Sequence, residues 1–508
     1  MPGTFPGTLK KLSNLFRKFS LMNKLVAIIC VLCISSAWSQ ANWNNTSFVH
    51  QSGKKILDGA NNEILLNGVN LGGWFMWEGW IWGGNFTQEK TMYSDIESIV
   101  GTTTADAFRE EVYNSFITRD DIERISQECF NVVRIPFNHK ILEDDFTPYV
   151  YKQSGWDRLD SVLAWCEAFD VYAVLDLHSA PGGQSNSFTA DPDFWITLWN
   201  GTINQERTAR LWKAIADRYK NRGIIAGYDL LNEPNTSNDA EMLDMYQRII
   251  DSIRVVDTNH LLFIEGNSFA TDFSMFTAPL DPNMAYEFHF YTWFFSSTIP
   301  QNLAVYTNLS NTSNVPIWCG EWGENDDAEL ELTKDLLANP QYGVSGNAMW
   351  TWKKVKKSSM KGDYNTVDTT SNWNKTIQWI GLNSNPTPSY TEMTNGMAEF
   401  IVNAAIANCE LNSTMHNLLE NCTGLEVQEQ QIGQDILIFP NPVESVLYFS
   451  DLEVPLEAIS VFDADGRKVE CLYLEGAQEL SVAHLSSGVY ILEFNCSGDL
   501  RRTHFMKN

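Results

Sequence analysis

Between residue 60 and about residue 385, short apolar runs alternate with longer segments in which apolar positions recur three and four apart. The short runs are ILLNGVN (64–70), FNVVRI (130–135), VYAVLDL (171–177), IIAGYDL (224–230), LLFIE (261–265), MAYEFHF (284–290), VPIWCGE (315–321) and VSGNAMWTW (344–352). Their length and their β-branched and aromatic content predict strands. The longer segments, such as DIERISQE (121–128), RLDSVLAWCEAF (158–169) and ERTARLWKAIADRY (206–219), predict amphipathic helices. Eight strand-then-helix repeats predict an α/β fold, a (β/α)8 TIM barrel with the helices outside. Function in such a barrel gathers at the carboxyl ends of the strands. The polar residues expected there are Asn70, Arg134, His178, Glu233, Glu265, His289 and Glu321, followed by Trp350 and Trp352.

The pattern changes after residue 385. NPTPSY reads as a joint, and residues 391–430 as a helical linker region. From residue 431 onward ILIFPNP, VLYFS, AISVFDADGRKV, GVYILEF and RRTHFMKN alternate in the period of strands, with Asn-Pro and Asp-Gly turns between them. A small all-β sandwich is expected there, without a cluster of His, Asp and Glu to carry chemistry. At the other end, Lys24 precedes the apolar run Leu25–Ile34, and Ala37 and Ser39 form a small-x-small cleavage pattern. Residues 1–39 therefore read as a signal peptide with an upstream extension, which leaves 40–390 for the barrel.

Composition narrows the choice of partner. The formal charge is −28, and without residues 1–39, which hold five basic and no acidic residues, it becomes −33. Such a surface repels nucleic acid and suits a neutral ligand. Of the nine cysteines, Cys30 and Cys33 belong to the export segment. The other seven form no CxxC pair, which argues against a zinc site. Cys409 with Cys422, and Cys471 with Cys496, are candidate disulfides, with separate buried thiols as the alternative.

The candidate chemistry centres on YDLLNEPN (228–235) and IWCGEWG (317–323), which aim Glu233 and Glu321 out of the predicted ends of strands 4 and 7. A barrel holds such residues face to face. Cleaving a glycosidic bond requires two carboxyl groups, one to protonate the leaving oxygen and one to attack the anomeric carbon or activate water. FHFYTW supplies His289 and Tyr291 two residues apart, suited to keeping one acid protonated and the other ionised. Arg134 is expected to bind the nucleophile, Asn232 a sugar hydroxyl, and Trp350 and Trp352 to form a stacking floor for a pyranose. Trp74, Trp77, Trp80 and Trp82, in the long segment after strand 1, are expected to contribute sugar subsites, with Trp293 and Phe294 as one wall. No metal or organic cofactor is called for.

These motifs resemble glycoside hydrolase family 5, over residues 60 to 385. Asn232-Glu233-Pro234 resembles the family's acid/base motif, IWCGEWG its nucleophile motif, FHFY its His and Tyr, VRIP its Arg and DLHSAPGGQ its His178. The resemblance implies a retaining mechanism with Glu233 as acid/base, Glu321 as nucleophile and carboxyl groups roughly 5 to 5.5 Å apart. NGVNLGGWFMWEGWI with DLHSAPGGQ is similar to the exo-β-1,3-glucanase branch, from which WFMWEGW and Trp322 depart. An endo-β-1,4-glucanase or a mannanase is the alternative activity, and a non-catalytic carbohydrate-binding surface protein the alternative class. The last 75 residues resemble the type IX secretion sorting domain, which implies the outer-membrane type IX machinery as partner and a secreted or surface location; a carbohydrate-binding module is the runner-up.

Overall fold

The computed structural model describes residues 47–192, 195–292, 299–324, 326–356, 362–384, 386–419, 438–439, 443–449, 458–463, 468–469, 479–496 and 499–507. The chain divides into two compact units, residues 1–423 and 424–508.

Eight parallel strands close the first unit into a barrel: β1 (Leu66–Asn70), β2 (Val132–Asn138), β3 (Tyr172–Ser179), β4 (Ile225–Asp229), β5 (Leu261–Glu265), β6 (Met284–Phe290), β7 (Ile317–Trp322) and β8 (Val344–Met349), with β8 paired to β1. All eight expected strands are present, with bounds shifted by a few residues at most ends. The eighth stops at Met349, so Trp350 and Trp352 lie beyond it.

Helices cover the outside for the reason their spacing implies. The helix Gln153–Phe169 buries Trp156, Leu159, Val162, Leu163 and Cys166, one stripe of its surface, and turns the remainder toward solvent. At the amino-terminal end of the barrel Leu66, Val132, Val174, Leu261, Phe263 and Trp318 fill the interior, and Val49 and Ile56 of an N-terminal hairpin join that cluster. Interior space is tight: a Cβ on Gly320 of β7 would sit 1.6 Å from Glu287 Oε1, so only glycine leaves room for that buried carboxyl.

Within the segment 391–430 expected as a helical linker, the described residues up to 419 belong to the first unit. The helix Tyr390–Ala404 buries Met393, Gly396, Met397, Phe400 and Ala404, and Phe400 stacks on Trp373 with ring centroids 4.2 Å apart. Its apolar stripe requires a partner surface, and the barrel supplies one. Of the two readings left open for Cys409, a bridge to Cys422 and a separate thiol, the structure has the second. Cys409 is a free thiol whose Sγ points back at the carbonyls of Asn403, Ala404 and Ala405, whereas Cys129, in neither expected pair, is disulfide-bonded. Cys422 and Cys471 lie outside the described residues.

The second unit is β-rich. It contains a three-stranded antiparallel sheet (Ile438–Phe439, Val446–Phe449, Glu479–Ser481) and a four-stranded one built on the long pair Gly488–Cys496 and Asp499–Lys507.

Candidate active site

Parallel register puts the polar ends of the strands in one layer. Asn70 lies opposite Arg134, Glu265 opposite Glu287, and His289 opposite Glu321. Because inward side chains recur every second residue, β3 sends in both Asp176 and His178, and β6 both Glu287 and His289. The result is a stack of ionisable groups on the barrel axis.

Arg134 is the hub of that stack and is fully buried. Its guanidinium donates to Glu321 Oε1 at 2.7 Å, to Asp229 Oδ2 from both Nε (3.0 Å) and Nη2 (2.7 Å), to Asn232 Oδ1 at 2.9 Å and to Asn70 Oδ1 at 3.2 Å. It also pairs with Asp176 at 3.1 Å, Glu265 at 3.2 Å and Glu287 at 3.0 Å. Five carboxyl groups around one guanidinium cannot all be ionised in a dry interior. Burial accordingly pushes the carboxyls of Asp176, Glu265 and Glu287 up and that of Asp229 to about 7, against the pull of the Arg134 charge.

Glu233 and Glu321 stand above this layer. Glu233 follows β4 by four residues and holds φ at +46°, a left-handed conformation that costs a non-glycine residue about 1–3 kcal/mol and is kept only where its surroundings enforce it. Its Oε1 lies 3.1 Å from His289 Nδ1, and its Oε2 accepts from the Thr189 hydroxyl at 3.2 Å. Glu321 receives Arg134 on Oε1 and the Tyr291 hydroxyl, at 2.9 Å, on Oε2. His289 Nδ1 lies 3.6 Å from Glu321 Oε2, and one oxygen each of Glu233 and Glu321 lie within 4.8 Å of each other and of the imidazole.

The imidazoles have opposite fates. Burial alone would strip the proton from His289, but the surrounding Glu321, Glu265 and Glu233 raise it well above its usual range, so it is an imidazolium. That cation in turn holds the Glu233 carboxyl below the ordinary range in the open site, against the effect of burial. His178 is pushed down to about 4 by burial and is neutral. Its Nδ1–H donates to Asp176 Oδ2 at 2.7 Å, which leaves Nε2 to face the Asn232 amide at 3.4 Å, and its ring stacks on Trp350.

Of the residues expected at the site, Arg134, His178, Asn232, Glu233, His289, Tyr291, Glu321 and Trp350 come together. Trp74 and Trp352 do not. Trp74 is buried against Phe75 and donates to the Tyr113 carbonyl, and Trp352 stacks on Tyr364 at 5.2 Å and donates to Asp121. Trp77 and Trp82 are likewise fully buried, packed together and against Phe108. The segment after β1 folds back onto the helices and uses its indoles as its own core. Trp80 stays partly open, and Trp293 and Phe294 lie outside the described residues. Replacing Trp352 by Ala is therefore expected to cost about 3–5 kcal/mol of stability while leaving KM unchanged, as measured by urea unfolding beside steady-state kinetics.

Four contributors escaped the sequence reading. Thr189 arrives on a 3-10 turn (Phe188–Ala190) with no motif to mark it. Asp176 and Glu287 were hidden inside apolar strands, two residues before His178 and His289 respectively, where the alternation could have exposed them. Glu78 is fully buried after β1, accepts from Trp80 Nε1 at 2.6 Å and places Oε1 3.7 Å from His178 Nε2. Burial raises its carboxyl strongly, and Glu321 and Glu233 add to the effect. The clusters Glu233–His289–Glu321 and Glu265–Glu287–His289 also bring ligand-type atoms close together, with Arg134 and the imidazolium as the counter-charge already present.

Two carboxyls at the mouth of a (β/α)8 barrel, one beside an imidazolium and one beside a guanidinium and a phenol, are the equipment of an enzyme that cuts glycosidic bonds. Residues 87–355 match the family model of cellulase, glycosyl hydrolase family 5, and the chain belongs to that family of O-glycosyl hydrolases. Residues 437–506 match the secretion system C-terminal sorting domain. Among curated relatives, the chain is 35% identical over 260 residues to a β-xylosidase of Phanerodontia chrysosporium, covering 50% of this chain and 54% of that protein. It is 33% identical over 190 residues to endoglucanase C of Acetivibrio thermocellus, covering 37% and 54%. To the probable glucan 1,3-β-glucosidase A of Aspergillus clavatus it is 28% identical over 311 residues, covering 56% and 73%. The chain thus spans about half the length of the first two, 54% of each.

Proposed function

We propose that the protein is a retaining hydrolase of β-glucans, exo-β-1,3-glucanase or β-glucosidase-like in action. The observation that carries the retaining part is the approach of one Glu233 oxygen to one Glu321 oxygen within 4.8 Å. That spacing suits direct attack by a carboxylate, whereas an inverting pair stands roughly 6.5–9.5 Å apart to admit a water.

Glu321, held by Arg134, bonds to the anomeric carbon as the glycosidic C–O bond breaks. Glu233 gives its proton to the departing oxygen and then takes one from the water that releases the sugar. A bound sugar displaces water from Glu233 and raises its affinity for the proton it shares with His289, which is when the acid must be loaded. Tyr291 steadies the nucleophile. Neutral His178 and the Asn232 amide face the sugar's hydroxyls, and Trp350 forms the floor under the ring. The 28% identity over 311 residues to a protein named probable glucan 1,3-β-glucosidase A supports the exo reading.

The endo-β-1,4 reading has one observation in its favour, the 33% identity to a protein named endoglucanase C. Incubation with laminarin, mixed-linked glucan, carboxymethylcellulose and glucomannan decides between them. Glucose alone from laminarin in the first minutes is the expected result. A ladder of oligosaccharides from a β-1,4 polymer would replace the exo assignment, and no product from any of the four would leave the non-catalytic binding protein as the reading.

The same proposal extends to export. Residues 1–39 direct passage of the inner membrane, and the C-terminal unit, folded as a β-sandwich, hands the chain to the outer-membrane type IX machinery for release or surface attachment. The matched sorting domain supports this route.

A further inference from the structure

We infer that Glu265, at the end of β5, is a positioning residue that sets both the backbone of Glu233 and the protonation of the imidazole beside it. The inference rests on the reading of Glu233 as the acid/base.

The geometry has two parts. Glu265 is fully buried, and its Oε2 accepts the backbone N–H of Glu233 at 2.6 Å. That bond clamps the residue that holds a left-handed φ without being glycine. The other oxygen, Oε1, accepts from Arg134 Nη2 at 3.2 Å and lies 3.4 Å from His289 Nε2. Its own carbonyl is pinned by the Tyr246 hydroxyl at 2.9 Å, so the clamp is anchored from outside the barrel. One carboxyl therefore reaches the acid/base twice, through its main chain and, by way of His289, through its side chain at Oε1.

A neutral acceptor would serve the first purpose; the second is electrostatic, because burial raises the Glu265 carboxyl and His289 and Arg134 beside Oε1 favour its charged form against that pull. The ionisable groups packed around His289 are Arg134, Asp176, Asp229, Glu233, Glu265, Glu287 and Glu321, and among them Glu321 and Glu265 do most to keep its proton. The reaction consumes the charge of Glu321 when that oxygen becomes an ester to the sugar. The charge of Glu265 is untouched by either half of the reaction. In the glycosyl-enzyme it is the acid left beside His289 Nε2 to draw onto the imidazole the proton that Glu233 takes from the attacking water, which restores the starting pair.

The test compares full-length Glu265→Gln and Glu265→Ala with the unmodified enzyme on phenyl and 2,4-dinitrophenyl β-glucosides. These share a sugar and differ in whether the leaving group requires a proton. Glutamine keeps the acceptor for the Glu233 N–H and removes the charge, so the alkaline limb of kcat/KM should move to lower pH by about one unit or more, because His289 then releases its proton sooner. Alanine removes the acceptor as well, and the loss should be about tenfold or more greater on the phenyl than on the dinitrophenyl glycoside. A uniform loss on both substrates with an unmoved pH limb would overturn the inference and leave Glu265 a packing residue. Glutamine is isosteric, so its result stands even if the alanine variant fails to fold, which circular dichroism checks. If the unmodified enzyme cleaves neither glycoside, it is the acid/base reading itself that falls.

Discussion

Replacing Glu321 by Gln is expected to lower turnover by roughly 10^4-fold or more while leaving the fold intact. The magnitude is the scale seen when a hydrolase loses its nucleophile. An amide has the shape of the carboxylate but neither the charge nor the nucleophilicity to attack an anomeric carbon. The fold should survive because Arg134 keeps Asp176, Asp229, Glu265 and Glu287 as counter-charges, each already within 3.2 Å. The check is steady-state kinetics together with intact mass after treatment with a slow 2-fluoro-glycoside. The unmodified enzyme should gain the mass of one sugar, located on the peptide containing Glu321, and the variant should gain none. Labelling at another residue, or turnover near the original level, would remove Glu321 from the nucleophile's role.

The second large effect is on stability. Arg134→Met leaves four buried acids and Glu321 without their guanidinium, and taking one partner from a buried pair costs about 3–5 kcal/mol. The deficit should depend on pH in a definite direction. Burial already holds Asp229 at about 7, above its unfolded value, and raises Asp176 and Glu287 as well. A carboxyl raised in the fold withdraws stability as pH climbs from its unfolded pKa through its folded one. Arg134 limits that rise; without it the acids shift further up, and the withdrawal continues to higher pH. The variant should therefore lag the parent least near pH 5 and most near pH 8, as read from urea midpoints at both. An equal deficit at the two pH values would mean that Arg134 contributes packing rather than charge.

The barrel was legible because its evidence is local. A run such as LLFIE declares a strand buried on both faces, and the stripe in RLDSVLAWCEAF declares a helix with one side to hide; eight alternations leave few other closures. The residues that converge on the mouth were legible for a related reason, since parallel strands in a closed barrel bring their carboxyl ends together whatever the loops do. Misreadings arose where the destination of a side chain depends on a distant partner. Nothing in WFMWEGWIW distinguishes an indole that faces a ligand from one that packs under a helix formed some 300 residues later. In the fold, Trp82 meets Phe400 at 4.9 Å, and that helix claims it for the core. Trp352 is a case of the same kind.

Secondary structure, strand count and the two glutamates at the strand ends thus follow from the sequence alone, because periodicity and strand direction depend only on near neighbours. The charge state of the site could be decided only by the tertiary structure. Arg134, Asp176, Asp229, Glu265, Glu287, His289 and Glu321 come from six strands, up to 187 residues apart in the chain, and the affinities of Asp176, Asp229, Glu265, Glu287 and His289 for a proton depend on burial and on that company. Pair energies in a dry interior change steeply over a few ångströms, a distance that only the closed barrel sets.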